Sequence, residues 1–326
     1  MSASDRTPPE PRVPDPDDPV RPSALVLPAV DDPPLNELEP WLDRREIVDA
    51  VAVPGTATSL YLTAEGIAVT TTGIGKSDAA ATVTALLAAP AIDLESAYVV
   101  SAGIAGAATT TAALGSVVVA DAIVDWDRKH RWDRQGETPD IAEGKSERDR
   151  PIDLLNYRPR DYVWRLDESL VERAIAAGRD VVLREDPATR EYQGRYPDAP
   201  ESGPTVETGT TVCGDEFWHG PRYAREVEWL CEQYGVGPYA TTQMEDAATA
   251  TALERFGLLD RYLSVRAIAN YDRSSPGETV EESFDGSEAS LALAIDNAER
   301  VGSAIVEDLV ATDPLGIGAE GTNPTS

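Results

Sequence analysis

TQMEDAATA at residues 242–250 and VRAIANYDR at residues 265–273 decide the reading of this chain. The first sets Glu245 beside Met244 at the opening of an apolar helix. The second is a buried-strand pattern that ends in the polar group Asn270-Tyr271-Asp272-Arg273. A carboxylate accepts from two hydroxyls, and an amide both donates and accepts. Delivered by a helix start and a strand end, the two suit a sugar hydroxyl pair and a heterocyclic base, provided the segments lie side by side.

Outward from these segments, strands and helices alternate. ALVLPAV (24–30), GIAVTTT (66–72), AYVVSA (97–102), GSVVVADAIV (115–124), TVETGTTVC (205–213) and YLSVRAI (262–268) have strand length and β-branched content. Helices are predicted over 77–89, with Ser77 or Asp78 as N-cap and Pro90 as the stop, and over 168–177, opened by Asp167 and closed by Gly178. Two more are predicted over 243–256, ended by Gly257, and over about 288–310, where Leu291, Ile295, Ala298, Val301, Ile305 and Leu309 recur at helical spacing. Residues 184–204 read as a loop. This alternation predicts one α/β domain over residues 23–311, with a mostly parallel or mixed sheet flanked by helices on both faces. Residues 125–163, charged and carrying Trp126 and Trp132, with Trp164 just beyond, read as a lid or excursion. Residues 1–22 and 312–326 read as disordered tails.

Each remaining motif has a functional and a bland reading. TTTGIGKSDAAAT (70–82) joins a strand to a helix through Gly73 and Gly75. It offers free N–H groups and the Lys76 charge to an anion, or it is a plain turn. Its spacing is neither that of a P-loop nor that of a dinucleotide fingerprint. SAGIAGAA (101–108) places Gly103 for close backbone approach to a sugar, or for tight packing. In GDEFWHG (214–220), Phe217 and Trp218 can sandwich a flat base and His219 can donate to it, or the two rings are core. Gln243, Met244 and Glu245 hold a ribose, or Glu245 and Asp246 complement the helix dipole. Asp272 joins the chemistry, or pairs with Arg273 or Arg266.

Composition narrows the classes. The chain has 326 residues with 58 acids against 28 bases, a net charge of −30. That surface repels nucleic-acid phosphates and anionic lipid. It is tolerable where salt screens it, so a salt-rich cytoplasm is expected. No apolar run approaches the roughly 18 residues of a membrane span, and the acidic, proline-rich start is unlike a secretion signal. Cys213 and Cys231 are the only cysteines, and His130 and His219 the only histidines, so neither a disulfide scaffold nor a zinc site is expected.

TTTGIGK (70–76), SAGIAG (101–106), GDEFWHG (214–220), EWLC (228–231), QMED (243–246) and NYDRSSPG (270–277) occur in the order of the nucleoside phosphorylase superfamily. More closely, the chain resembles the purine nucleoside permease family over roughly residues 24–310. The resemblance implies a nucleoside phosphorylase-like fold and a purine nucleoside as ligand. By analogy, Phe217 and Trp218 flank the base, Met244 and Glu245 hold the ribose, and Gly73, Gly75 and Gly103 shape the sugar and anion end. Asn270 stands where an acid usually addresses purine N7; an amide has no proton to give at neutral pH, but it can bind a 6-oxopurine or leave proton delivery to water or Asp272. Ser101 and Ile104 stand where phosphorylases place phosphate ligands, so hydrolysis is expected over phosphorolysis, with phosphate a possible co-substrate and no other cofactor. The water-activating glutamate of nucleosidases should follow ALVLPAV, where Asp31, Asp32, Glu37 and Glu39 are available; none is assigned. The alternative is a binding protein that assists nucleoside transport without catalysis. A homo-oligomer, a dimer or a trimer of dimers, is expected by the same analogy.

Overall fold

The computed structural model describes residues 8–133, 151–155, 157, 161–284 and 286–318. The elements run β1 (Ala24–Leu27), α1 (Glu39–Asp43), β2 (Ile47–Val51), β3 (Leu60–Thr63), β4 (Ile67–Val69), α2 (Gly75–Ala88), β5 (Tyr98–Ala107) and β6 (Val117–Asp125). There follow β7 (Lys129–Arg131), β8 (Ile152–Leu154), β9 (Val163–Arg165), α3 (Glu168–Arg179), α4 (Pro187–Gln193), β10 (Val206–Cys213) and α5 (Pro221–Gln233). The chain closes with β11 (Tyr239–Gln243), α6 (Asp246–Phe256), β12 (Tyr262–Tyr271), α7 (Val280–Ser283) and α8 (Glu288–Thr312).

The sheet is mixed, in the order β11-β10-β6-β12-β5-β1-β4-β3-β2, with β9 added beside β6. The strands β1, β5 and β12 run parallel in the order β1-β5-β12 and are buried along most of their length, largely by apolar residues. β11 pairs with β10 on one side and with β5 on the other, so β5, β12, β6, β10 and β11 close into a ring. Helix α8 lies over β5 and β12, α3 packs on α8, and α2 packs on α6. The expected α/β domain with a mixed central sheet is present.

Several boundaries differ from expectation. Helix α2 starts at Gly75, not after Ser77 or Asp78, because two carboxylates remote in sequence take its first N–H groups: Glu245 accepts from Gly75 and Asp215 from Lys76. Asp167 does cap α3, accepting from Leu170, but Gly178 lies inside that helix; a Cβ there would stand 3.1 Å from both Val206 and Val301. The stretch 184–204 contains α4, started by an Asp186 side chain that accepts from Thr189. Gln243 ends a strand instead of opening a helix, and α6 begins at Asp246. Sequence patterning also passed over β2, β3, α5 and β11.

Residues 8–22, expected as a tail, are tied along the domain by backbone bonds of Arg12 with Ala50 and Ala52 and of Val20 with Ala91 and Asp93. Beyond α8, Asp313 accepts from Tyr98 and Gly318. In the stretch expected as a lid, β6 continues to Asp125, Trp126 is fully buried, and β7 pairs with β8; residues 134–150 lie outside the described residues.

Candidate functional site

Ligands of open α/β sheets bind beyond the carboxyl ends of strands, and a cavity of about 210 Å³ opens there. Its wall draws on the segments that follow β1 (Ala29, Val30, Leu35, Glu37), β4 (Ile74) and β10 (Gly214, Glu216, Phe217, Trp218), and on the ends of β5, β11 and β12. Glu245 and Asn270 both line it, so the convergence on which the sequence reading depends is present.

Glu245 is held from two sides. Its Oε1 accepts from Gly75 N–H at 3.0 Å and its Oε2 from Arg266 Nη1 at 3.3 Å. Gln243 prepares the turn before it, with Oε1 accepting from the N–H groups of both Glu245 and Asp246. Buried Arg266 also binds Asp246 and the Ser101 hydroxyl. Burial pushes the Glu245 carboxyl up, and Arg266 opposes that.

Of the four acids left open after β1, Asp31, Asp32, Glu37 and Glu39, Glu37 is the one in the cavity wall. It sits in the return loop after β1, only 4% exposed, accepting from the N–H groups of Ala29 and Ile104 at 2.7 Å each. Burial pushes its pKa up from 4.5 to about 7, against the opposing pull of Arg266 and those two N–H groups. Gly103 serves this side chain: a Cβ at position 103 would stand 2.6 Å from Glu37 Oε1. The loop has no periodicity that would single out Glu37. The available signals were its place after β1, where the resemblance expects a glutamate, and Gly103 in buried β5, which leaves room for a side chain.

The glycine turn expected to receive an anion is satisfied by the protein's own acids. Lys76 Nζ is bonded to Asp125 at 2.8 Å and Asp127 at 2.6 Å. Gly73 and Gly75 take positive φ values of 80° and 84°, and side chains there would strike Asp78 and Asp215. None of Gly73, Gly75, Lys76 and Gly103 is in the cavity lining. They build its frame.

Phe217, Trp218 and Met244 line the cavity. Phe217 is 57% exposed and meets Phe284 edge-on at 5.8 Å, whereas Trp218 is anchored among Trp126, Tyr223 and Tyr239. His219 does not line the cavity; its Nε2 faces the Ser283 hydroxyl at 3.1 Å. Asp272 lines the wall, but Arg273 holds it at 2.6 Å and Tyr239 donates to it, which realises the bland reading for that acid. Asn270 directs its amide nitrogen to the carbonyl of Phe284 at 2.8 Å. Among the described residues no cluster suited to a metal ion is present, and no helix is long and apolar enough to cross a membrane.

Comparison with known proteins agrees with this fold. A probable purine nucleoside permease of Schizosaccharomyces pombe is 28% identical over 74% of each chain. A purine nucleoside permease of Candida albicans is 26% identical over 84% of this chain and 72% of its own. In fold, the chain is similar to a 5′-methylthioadenosine/S-adenosylhomocysteine nucleosidase of Neisseria meningitidis solved with methylthio-immucillin-A, at TM-score 0.57 and 22% identity, covering 89% of this chain and all of that one. A futalosine hydrolase of Helicobacter pylori superimposes equally well, at TM-score 0.57 and 19% identity, covering 88% and 97%. The profile of the purine nucleoside permease (NUP) family matches residues 24–313, and the chain belongs to that family.

Proposed function

We propose that the cavity binds a purine nucleoside and that the chain hydrolyses its N-glycosidic bond. One observation carries this reading: two buried carboxylates, Glu37 and Glu245, face one cavity, and Glu37 is tuned to exchange a proton near neutrality. Glu245 accepts from the two ribose hydroxyls, with Met244 against the sugar and Phe217 and Trp218 beside the base. Glu37 removes a proton from water as the water oxygen bonds to C1′. The C1′–N9 bond breaks through an oxocarbenium-like state, and its electron pair leaves with the purine. Before the water proton is transferred, anionic Glu37 and Glu245 stabilise the developing ribosyl cation; the transfer to Glu37 accompanies bonding of the water oxygen to C1′. Asn270 hydrogen-bonds the departing base, which takes its proton from water.

Hydrolysis is favoured over phosphorolysis by the charges. Glu37, Glu216, Glu245 and Asp272 line the cavity against Arg266 alone, and Arg266 is committed to Glu245 and Asp246. A phosphate dianion finds no free cation among the described lining residues. The test is release of free base from adenosine or inosine in concentrated potassium chloride, with and without phosphate. Release that does not depend on phosphate is expected, and no release under either condition sinks the catalytic reading.

A second reading, a nucleoside-binding protein that assists uptake, is favoured by Asn270, which cannot protonate a leaving base. Calorimetric binding with the nucleoside recovered intact would select it.

A further inference from the structure

The side-chain amide of Asn270 has a fixed sense. Nδ2 donates to the Phe284 carbonyl at 2.8 Å and to the Tyr271 carbonyl at 3.3 Å. Carbonyl oxygens only accept. Reversing the amide would therefore break both bonds and set Oδ1 against two acceptors. One carbonyl belongs to the last residue of β12, and the other follows α7, whose start is fixed by a capping box between Thr279 and Glu282. Among the described residues no donor reaches Oδ1. Oδ1 and Nδ2 stand 3.4 and 3.5 Å from where a Cβ on Gly106 would be, and Gly106 and Asn270 are both in the cavity lining, so the amide lies at the cavity edge with Nδ2 already committed to the two carbonyls. The atom that Asn270 offers to a ligand is an acceptor.

Purines differ in what they present to such an atom. Along the edge that carries N7, a 6-aminopurine offers an acceptor at N7 and a donor at the amine. A 6-oxopurine offers N7 and O6, both acceptors. We infer that the site selects 6-aminopurine nucleosides over 6-oxopurine nucleosides, with Asn270 Oδ1 as the discriminating atom. The inference rests on the nucleoside reading above, with Asn270 addressing the N7 edge of the base. It reverses the expectation that an asparagine here suits a 6-oxopurine, since that pairing needs the nitrogen already given to Phe284 and Tyr271.

Three ligands test it on the full chain in concentrated salt: adenosine, inosine and purine riboside, which carries neither amine nor oxo group. Kd is read by calorimetry, or kcat/KM where the ligand is turned over. Adenosine should be preferred to inosine by roughly tenfold to a hundredfold, with purine riboside between them. Asn270→Ala should bring adenosine and inosine to within about threefold of each other, because the discriminating acceptor is gone. Inosine preferred to adenosine, or equal to it, in the unaltered chain overturns the inference and leaves the nucleoside reading standing. Failure of all three ligands to bind overturns the nucleoside reading itself, and the inference with it.

Discussion

Glu37 and Asp272 are both buried acids in the wall of one cavity, and the protein treats them in opposite ways. Glu37 is met by two neutral N–H groups, and the cation that acts on it, Arg266, is already shared between Glu245 and Asp246. Asp272 has the Arg273 guanidinium beside it at 2.6 Å and the Tyr239 hydroxyl on its other oxygen. Burial without a dedicated cation disfavours the anion and brings proton exchange of Glu37 toward neutral pH, whereas both oxygens of Asp272 are taken by a guanidinium and a hydroxyl. The two acids teach that a position in the wall does not make a residue a base. Its pairing decides.

That contrast can be broken experimentally. Glu37→Gln should lower kcat by roughly a hundredfold to ten-thousandfold, the usual range for a general base, while nucleoside affinity changes little. Base release and calorimetry on the same preparation check both halves. Arg266→Met should strip the cation from Glu245 and Asp246 and cost about 3–5 kcal/mol of unfolding free energy, read by denaturant titration in concentrated salt. It should also push the Glu37 pKa higher, because Arg266 is the largest influence holding it down.

The unaltered chain should show kcat/KM rising with pH to a plateau above about 7, where Glu37 is ionised. A limb near 4.5 instead would assign the base elsewhere. Stability has the opposite sign. Folded Glu37 keeps its proton to about pH 7, whereas an unfolded glutamate loses it near 4.5. Its stabilising contribution is complete below about 4.5 and declines as pH rises to about 7, a decline that Glu37→Gln should lack. The smallest effect is expected for Asp272→Asn: about 1–3 kcal/mol of stability, and a loss of cleavage far below that of Glu37→Gln, read in the same assays.

The parts legible in sequence were those with a local or periodic cause. Apolar strands, the long α8 stripe and the Asp167 cap follow from neighbours a few positions away. So did the meeting of Glu245 and Asn270, each at the end of a strongly patterned segment. The role of Lys76 was not legible, because its partner Asp125 lies 49 positions downstream. Nor was the start of α2, capped by Glu245 from 170 positions away. Glu37 was visible only as one of several acids in an aperiodic loop; Gly103, which leaves room for it, belongs to another strand. The sense of Asn270 depends on a carbonyl 14 residues beyond it that no pattern announces.

The double hold on Glu245, by the first amide of α2 and by Arg266, has a last consequence. One oxygen is tied to a helix and the other to a strand, so the carboxylate plane is set before any ligand arrives. Each oxygen keeps a lone pair for a hydroxyl. The rotational freedom that a free glutamate surrenders on capturing a diol has here been given up during folding, and association does not have to supply it again. Free and occupied forms should therefore differ least at this residue.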